Sequence, residues 1–503
     1  MNFRAAQLAL AAALSAFPAR AATCESLSQL KLPHTTVTMA QAVPAGPFTP
    51  PDGRPINRLP AFCRVAGTLR PSADSDIRFE VWLPAAWNGK LAGIGNGGFA
   101  GTLNLRGMAP QLLRGYATAA TDTGHDESAS PGALWAVGHP QKVIDFGYRA
   151  IHETAVAAKA LIAAFYGAPP KHAYFNSCSN GGRQALMEAQ RYPADYDGIV
   201  AGAPANDWTH LLAGGAELAQ TVAQTPAAFI PPAKFPAIEA ATLAACDALD
   251  GLQDGLISDP RECRFDPASL LCKGGETDRC LTAPQVALMQ DIYAGPRTAK
   301  GQSLYYGYSP GAEAGPGGWA AWITGSAPEK SLGFGFSIPF FSQMVYQNPA
   351  WDYRDFDAQR DVKAADAKLA SILNATDPDL KKFRDRGGKL ILYHGWSDPA
   401  IPPLNAIHYY ESAVAKMGAA GSASFLRLYM VPGMQHCGGG PGPNVFDMAT
   451  PLERWVEDAA APGSILATRG PRSRPLCPYP QVARWSGTGS TGDAANFSCV
   501  NPR

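Results

Sequence analysis

The sequence has no charge of either sign to spare. Its 42 basic residues match its 42 acidic ones, and charged residues make up only 17% of the 503. Without a basic surplus the chain lacks the electrostatic footprint of a nucleic-acid binder. Beyond residue 21 no apolar run reaches the length of a membrane helix, so no membrane span is expected. No CxxC pair occurs, which argues against a zinc ribbon or a thioredoxin-type site. Internal repeats and low-complexity tracts are missing as well. What the chain does have is 46% apolar residues, too many for a disordered polymer, and 51 Gly with 44 Pro, which point to many turns and long ordered loops.

Residues 1–21 have the form of a secretory leader. Arg4 supplies the positive charge, Ala5 to Phe17 the apolar run, and Ala19-Arg20-Ala21 the small-x-small cleavage site. Cleavage removes two arginines and no acid. All ten cysteines lie after that point. A secreted or periplasmic location then makes five disulfides the expectation. Sequence alone leaves their connectivity open. Proximity favours Cys24–Cys63, Cys246–Cys263, Cys272–Cys280 and Cys477–Cys499, which leaves Cys178 and Cys437, far apart in the chain.

Strand and helix patterns alternate up to about residue 207. Ile77 to Leu83, Lys90 to Ile94, Tyr116 to Thr121, His172 to Ser177 and Ile199 to Ala203 read as strands; residues 145–166 and Gly181 to Arg191 read as helices. Residues 24–75 read as loop-rich with weak strand signals. From 208 to 385 the alternation stops and the chain reads as irregular. Strand runs resume at Lys389 to Tyr393 and Phe425 to Val431. This is an α/β pattern with a mostly parallel sheet: one domain from residues 22–207 and 386–503, interrupted by an insertion at 208–385.

The sharpest motif is Ser177-Cys178-Ser179-Asn180-Gly181-Gly182, between a strand and a helix. A nucleophilic serine needs a strained strand-to-helix turn with small residues on both sides, usually G-x-S-x-G; here Ser177 replaces the first glycine. The same string also suits a glycine-rich helix cap with Ser179 as the cap. A nucleophile needs a base and an orienting acid, supplied in the order Ser, Asp, His after late strands. Asp398, after the 389–393 run, and His436, after the 425–431 run, occupy those places; His394 is the nearest rival base. A bond between the leftover cysteines requires Cα atoms within about 7 Å. Since Cys178 adjoins Ser179 and Cys437 adjoins His436, it would bring serine and histidine together. The Asn180 N–H and Gly98, in the Gly95-Asn96-Gly97-Gly98 turn, are the candidates for an oxyanion hole.

At these residues the sequence resembles the tannase/feruloyl esterase family, whose CS-D-HC motif matches Cys178-Ser179, Asp398 and His436-Cys437. Ala119 to His125 (AATDTGH), Asp197 to Pro204 and Pro441-Gly442-Pro443 add to the resemblance. It implies an α/β-hydrolase fold with a large lid, hydrolysis of phenolic-acid esters, and a disulfide joining Cys178 to Cys437. Asp247 to Leu256 (DALDGLQDGL) gathers three carboxylates and interleaved glycines, suited to a hard cation or to a solvated acidic turn. The resemblance implies a structural Ca²⁺ there, held by Asp247, Asp250 and Asp254 side chains and the Leu252 and Leu256 carbonyls. No organic cofactor is expected.

Aromatic substrates need flat apolar walls. Trp322, Phe334 and Phe336 in the insertion are the expected contacts, although aromatic residues there equally suit the insertion's own core. A branch of the family acting on mono-esters of terephthalate holds the free carboxylate with a lid arginine. The corresponding Leu332 to Ser337 stretch has none, which favours neutral esters, with Arg354 and Arg360 the nearest alternatives. The alternative reading is an aromatic ester hydrolase of the mono(2-hydroxyethyl) terephthalate type; a secreted serine peptidase and a non-catalytic, calcium-stapled binding protein are the remaining rivals.

Overall fold

The computed structural model describes residues 23–130 and 132–502. The leader expected at 1–21 lies outside the described residues. Nine strands form one sheet: β1 (Thr35–Val43), β2 (Phe62–Leu69), β3 (Ile77–Pro84), β4 (Lys90–Ile94), β5 (Ala117–Thr121), β6 (His172–Cys178), β7 (Gly198–Gly202), β8 (Lys389–Gly395) and β9 (Leu426–Val431). Their spatial order is β1-β2-β3-β5-β4-β6-β7-β8-β9. The pairs from β1 to β5 along this order are antiparallel, and those from β5 to β9 are parallel.

Strand sequence explains which face each side chain serves. Successive residues point to opposite faces. Ile199, Ala201, Leu390 and Leu392 join one apolar layer, with the helices Ala150–Tyr166 and Leu404–Met417 against it. Val200, Ile391 and Tyr393 join the opposite layer, covered by Leu452 and Trp455 of the helix Ala449–Glu457. Both faces being covered, the central parallel strands are almost wholly apolar.

Two regions depart from expectation. Residues 24–75 hold the antiparallel strands β1 and β2, tied to the preceding turn by Cys24–Cys63. β1 is an edge strand, mostly half-buried or exposed and bulged between Val37 and Met39, so it lacks a clean alternation. Residues 208–385 contain helices at Trp208–Gln224, Phe235–Cys246 and Ala283–Ala294, and none of the nine sheet strands. The helix expected from residue 145 is preceded by a short α-helix at Pro140–Ile144 and passes through a π-helical stretch, Asp145–Arg149.

All ten cysteines are paired, in the pairs that proximity favoured plus Cys178–Cys437. No helix among the described residues is long and apolar enough to cross a membrane. A parallel sheet entered through antiparallel strands, with a sharp turn from β6 into a helix and late loops after β8 and β9, is the α/β-hydrolase fold.

Candidate active site

β6 ends at Cys178, and the helix Asn180–Arg191 begins two residues later. Ser179 makes that turn alone, with φ 68° and ψ −127°, a region costly for a residue with a Cβ. The surroundings hold it there. Its N–H donates to the Gly202 carbonyl at 2.9 Å, and its own carbonyl accepts from Arg183 N–H at 3.1 Å and Ala205 N–H at 3.2 Å. A Cβ at Gly181 would lie 1.9 Å from Ser177 Oγ, and one at Gly182 would lie 2.3 Å from the Gly202 carbonyl oxygen. Gly181 therefore leaves the room that lets Ser177 stand where the usual pattern has glycine.

The loops after β8 and β9 bring two side chains to this serine. His436 Nε2 is 2.9 Å from Ser179 Oγ, and His436 Nδ1 is 2.9 Å from Asp398 Oδ2. Asp398 is buried; its Oδ1 accepts from the Ala400 and Ile401 N–H groups at 2.8 and 3.0 Å. His394, the rival base by sequence, lies fully buried, with Nε2 3.2 Å from Asp398 Oδ2 and 3.0 Å from the Ile401 carbonyl. Burial opposes the Asp398 charge, but His436 and the bond from His394 outweigh it and hold the carboxyl well below the usual carboxylate range. Asp398 thus remains an anion able to orient an imidazole. The Cys178–Cys437 bond, with Cα atoms 6.0 Å apart, clasps the chain beside both Ser179 and His436.

Gly98, at φ 53°, and Asn180 line the cleft at Ser179. The Gly98 N–H has no protein acceptor among the described residues. Asn180 opens its helix, so its N–H lies outside the intrahelical ladder and at the positive end of the helix dipole. Beneath the turn sits fully buried Arg183, which sequence reasoning missed. It donates to Asn180 Oδ1 at 2.8 Å, to the Gly147 carbonyl at 2.8 Å and to the Phe146 carbonyl at 3.0 Å.

Of the three expected aromatic contacts, Trp322 and Phe336 line the cleft. Trp322 meets His436 edge-on at 4.9 Å and lies nearly parallel to Phe336 at 6.3 Å. Phe334 turns the other way, against Tyr353 at 5.4 Å, in a neighbouring cavity of about 230 Å³. Two residues along one helix point to different sides, which separates Phe334 from Phe336. Trp208, Leu211, Leu212 and Ile401 complete the apolar lining, and no lysine or arginine is among the described residues that form it. Arg354 lies at the other cavity, and Arg360 pairs with Asp361.

In the Asp247–Leu256 loop the carboxylates have protein partners. Asp247 accepts from the N–H groups of Asp254, Gly255 and Leu256; Asp250 from Leu252 N–H and Ser258 Oγ; Asp254 Oδ2 pairs with Arg474 at 2.6 Å and Arg472 at 3.1 Å. Among the described residues no three acidic, His or Cys groups converge as a ligand cluster. Asp254 Oδ1 is nevertheless buried without a partner, and the Leu252 and Leu256 carbonyls accept no hydrogen bond among those residues. These all-oxygen donors fit a hard cation in chemistry.

The fold is that of the α/β-hydrolases, and comparison with known proteins makes the chain a carboxylic ester hydrolase. The chain belongs to the tannase and feruloyl esterase family, whose model matches residues 63–500. It is 44% identical to an uncharacterized esterase of Xanthomonas campestris, over 98% of this chain and 94% of that one. It is 37% identical to mono(2-hydroxyethyl) terephthalate hydrolase of Piscinibacter sakaiensis, over 88% of this chain and 85% of that one. Among solved structures, feruloyl esterase B from Aspergillus oryzae superposes with a TM-score of 0.88 at 29% identity, covering 95% of this chain and 99% of that one.

Proposed function

We propose that the protein is a secreted serine esterase of neutral phenolic-acid esters, working through Ser179, His436 and Asp398. The observation that carries the reading is the continuous contact Ser179 Oγ–His436–Asp398, two hydrogen bonds of 2.9 Å each. His436 Nε2 takes the Ser179 proton as Oγ attacks the ester carbonyl carbon. Asp398 holds the Nδ1–H tautomer and stabilises the imidazolium. The Gly98 and Asn180 N–H groups receive the oxyanion. The tetrahedral species collapses as His436 protonates the departing alcohol, leaving an acyl-Ser179 ester. Water, deprotonated by His436, then releases the acid and restores the serine.

The acyl ring would rest against Trp322 and Phe336. Free space at the cleft is about 70 Å³. A closed cavity of about 150 Å³ holds benzene, so a ring bound in this open cleft either extends into its mouth or widens it. Residues 208–385, which supply Trp322 and Phe336, act as the lid. The uncharged lining favours neutral esters. Similarity to the terephthalate mono-ester hydrolase supports a second reading, an anionic aromatic mono-ester. Hydrolysis of methyl ferulate, methyl gallate and a terephthalate mono-ester by one preparation separates them. We expect the neutral methyl esters to have kcat/KM at least about tenfold higher, the effect of leaving a carboxylate without a cation. Faster cleavage of the anionic mono-ester would reverse the assignment.

The five disulfides and the leader-like residues 1–21 support export. Calcium is proposed as structural, on Asp247, Asp250, Asp254 and the Leu252 and Leu256 carbonyls. It would use the unpartnered Asp254 Oδ1 and the two free carbonyls next to the Cys246–Cys263 staple, far in sequence from the reacting serine. Chelation should lower the melting temperature by several degrees, and added Ca²⁺ should restore it. An unchanged melting curve after chelation would remove calcium from the account.

A further inference from the structure

The AATDTGH segment has no part in the reaction as described, yet its residues grip the loop that carries Gly98. Asn96 Nδ2 donates to the Thr121 carbonyl at 2.8 Å, and Gly101 N–H donates to the Asp122 carbonyl at 3.0 Å. The tightest contact is His125 Nε2 to the Phe99 carbonyl, at 2.7 Å. The Phe99 ring packs against two residues that line the cleft, 5.4 Å from Phe336 and 5.9 Å from Trp208.

His125 is buried and its ring lies stacked on Trp135, with centroids 4.0 Å apart. A Cβ on Gly101 would come within 3.0 Å of the imidazole, so loop and ring are in close contact. A carbonyl only accepts, so the proton of this bond belongs to Nε2. Nδ1 has no hydrogen-bond partner among the described residues. Burial lowers the imidazole to about 4, so this one donor persists at neutral pH.

We infer that His125 is a positioning residue for the oxyanion hole: its Nε2–H fixes the Phe99 carbonyl, and through it the Gly95–Gly101 loop that presents the Gly98 N–H. The inference rests on the serine-esterase reading. An oxyanion donor must stand ready before charge develops, and one lost donor costs about 100- to 1,000-fold in kcat. Loosening a donor rather than deleting it should cost less, about 10- to 100-fold.

His125→Met and His125→Gln have similar length, but only glutamine offers an N–H to the Phe99 carbonyl. We expect His125→Met to lose about 10- to 100-fold in kcat with KM within about twofold, and His125→Gln to recover much of that loss. Affinity for an aryl boronic acid, which mimics the tetrahedral species, should fall with kcat, while affinity for the product acid should not. Should the methionine variant fail to fold, His125→Phe, which keeps the stack on Trp135, takes its place. Wild-type kcat in the variant lacking a donor overturns the inference. So does an equal kcat loss in both variants, tracking their loss of melting temperature. An inert Ser179→Ala beside a fully active His125→Met removes this inference alone; an active Ser179→Ala removes the esterase reading beneath it.

Discussion

Ser179→Ala is expected to be folded and to lose esterase activity by at least about 10,000-fold in kcat. Alanine keeps the Cβ, so the backbone at φ 68° and ψ −127° is no more strained than before. The hydroxyl's hydrogen-bond partner in the site is His436 Nε2. The melting temperature should therefore move by no more than about 2 °C. What is lost is the atom that forms the acyl bond. Because serine, base and acid act as one unit, Ser179→Ala combined with His436→Ala should be scarcely slower than Ser179→Ala alone. Multiplying losses in the double variant would mean that His436 works independently of Ser179, for instance by activating water directly. A folded Ser179→Ala enzyme that still turns over methyl ferulate at the wild-type rate would end the assignment.

The parts of this site that could be read from sequence share a property: their chemistry resides in side chains at distinctive places. Ser179, Asp398 and His436 each follow an apolar strand run at a glycine-containing turn, and each belongs to a residue type that the reaction needs. The supporting residues are different. His125 holds the Phe99 carbonyl, Arg183 the Gly147 and Phe146 carbonyls, and His394 the Ile401 carbonyl as well as Asp398. A backbone carbonyl is carried by every residue, so no pattern of residue types announces such a partner. Strands β4 to β9 were legible because buried parallel strands are short apolar runs. The helix Trp208–Gln224 was not, since adjacent Gly214 and Gly215 lower its local propensity. Packing explains Gly215: a Cβ there would lie 2.3 Å from Ser337 Oγ, so glycine lets this helix meet the helix Leu332–Pro339. Phe334 and Phe336 show a further limit. Their separation into two cavities depends on helix phase relative to the cleft, which composition does not carry.

Removing the Cys178–Cys437 bond should cost both stability and rate. The bond closes a loop with a sequence separation of 259 residues. Restricting a loop of that size in the unfolded chain is worth about 5–6 kcal/mol in the chain-entropy account, against about 2.5 kcal/mol for an eight-residue loop. Cys246–Cys263 and Cys272–Cys280 lie within the large loop and shorten it somewhat, but the dependence is logarithmic, so the figure changes little. Native-state geometry sets the rate effect. Cys437 holds a left-handed φ of 59° immediately after His436, and Cys178 ends the strand that leads into Ser179. Without the clasp nothing covalent fixes the 2.9 Å Ser179–His436 contact, and a displacement of about 1 Å at a reacting pair costs about 100-fold. We therefore expect Cys178→Ala/Cys437→Ala to melt at a clearly lower temperature and to lose about 100-fold in kcat on methyl ferulate well below that melting point. Cys272→Ala/Cys280→Ala, which opens a bond remote from the cleft lining, should keep wild-type kcat. Calorimetry and initial rates on the two pairs decide the matter. If the Cys178/Cys437 variant loses stability but keeps its rate, the bond is a staple of the fold alone, and the β6 turn and the loop after β9 suffice to align serine and histidine.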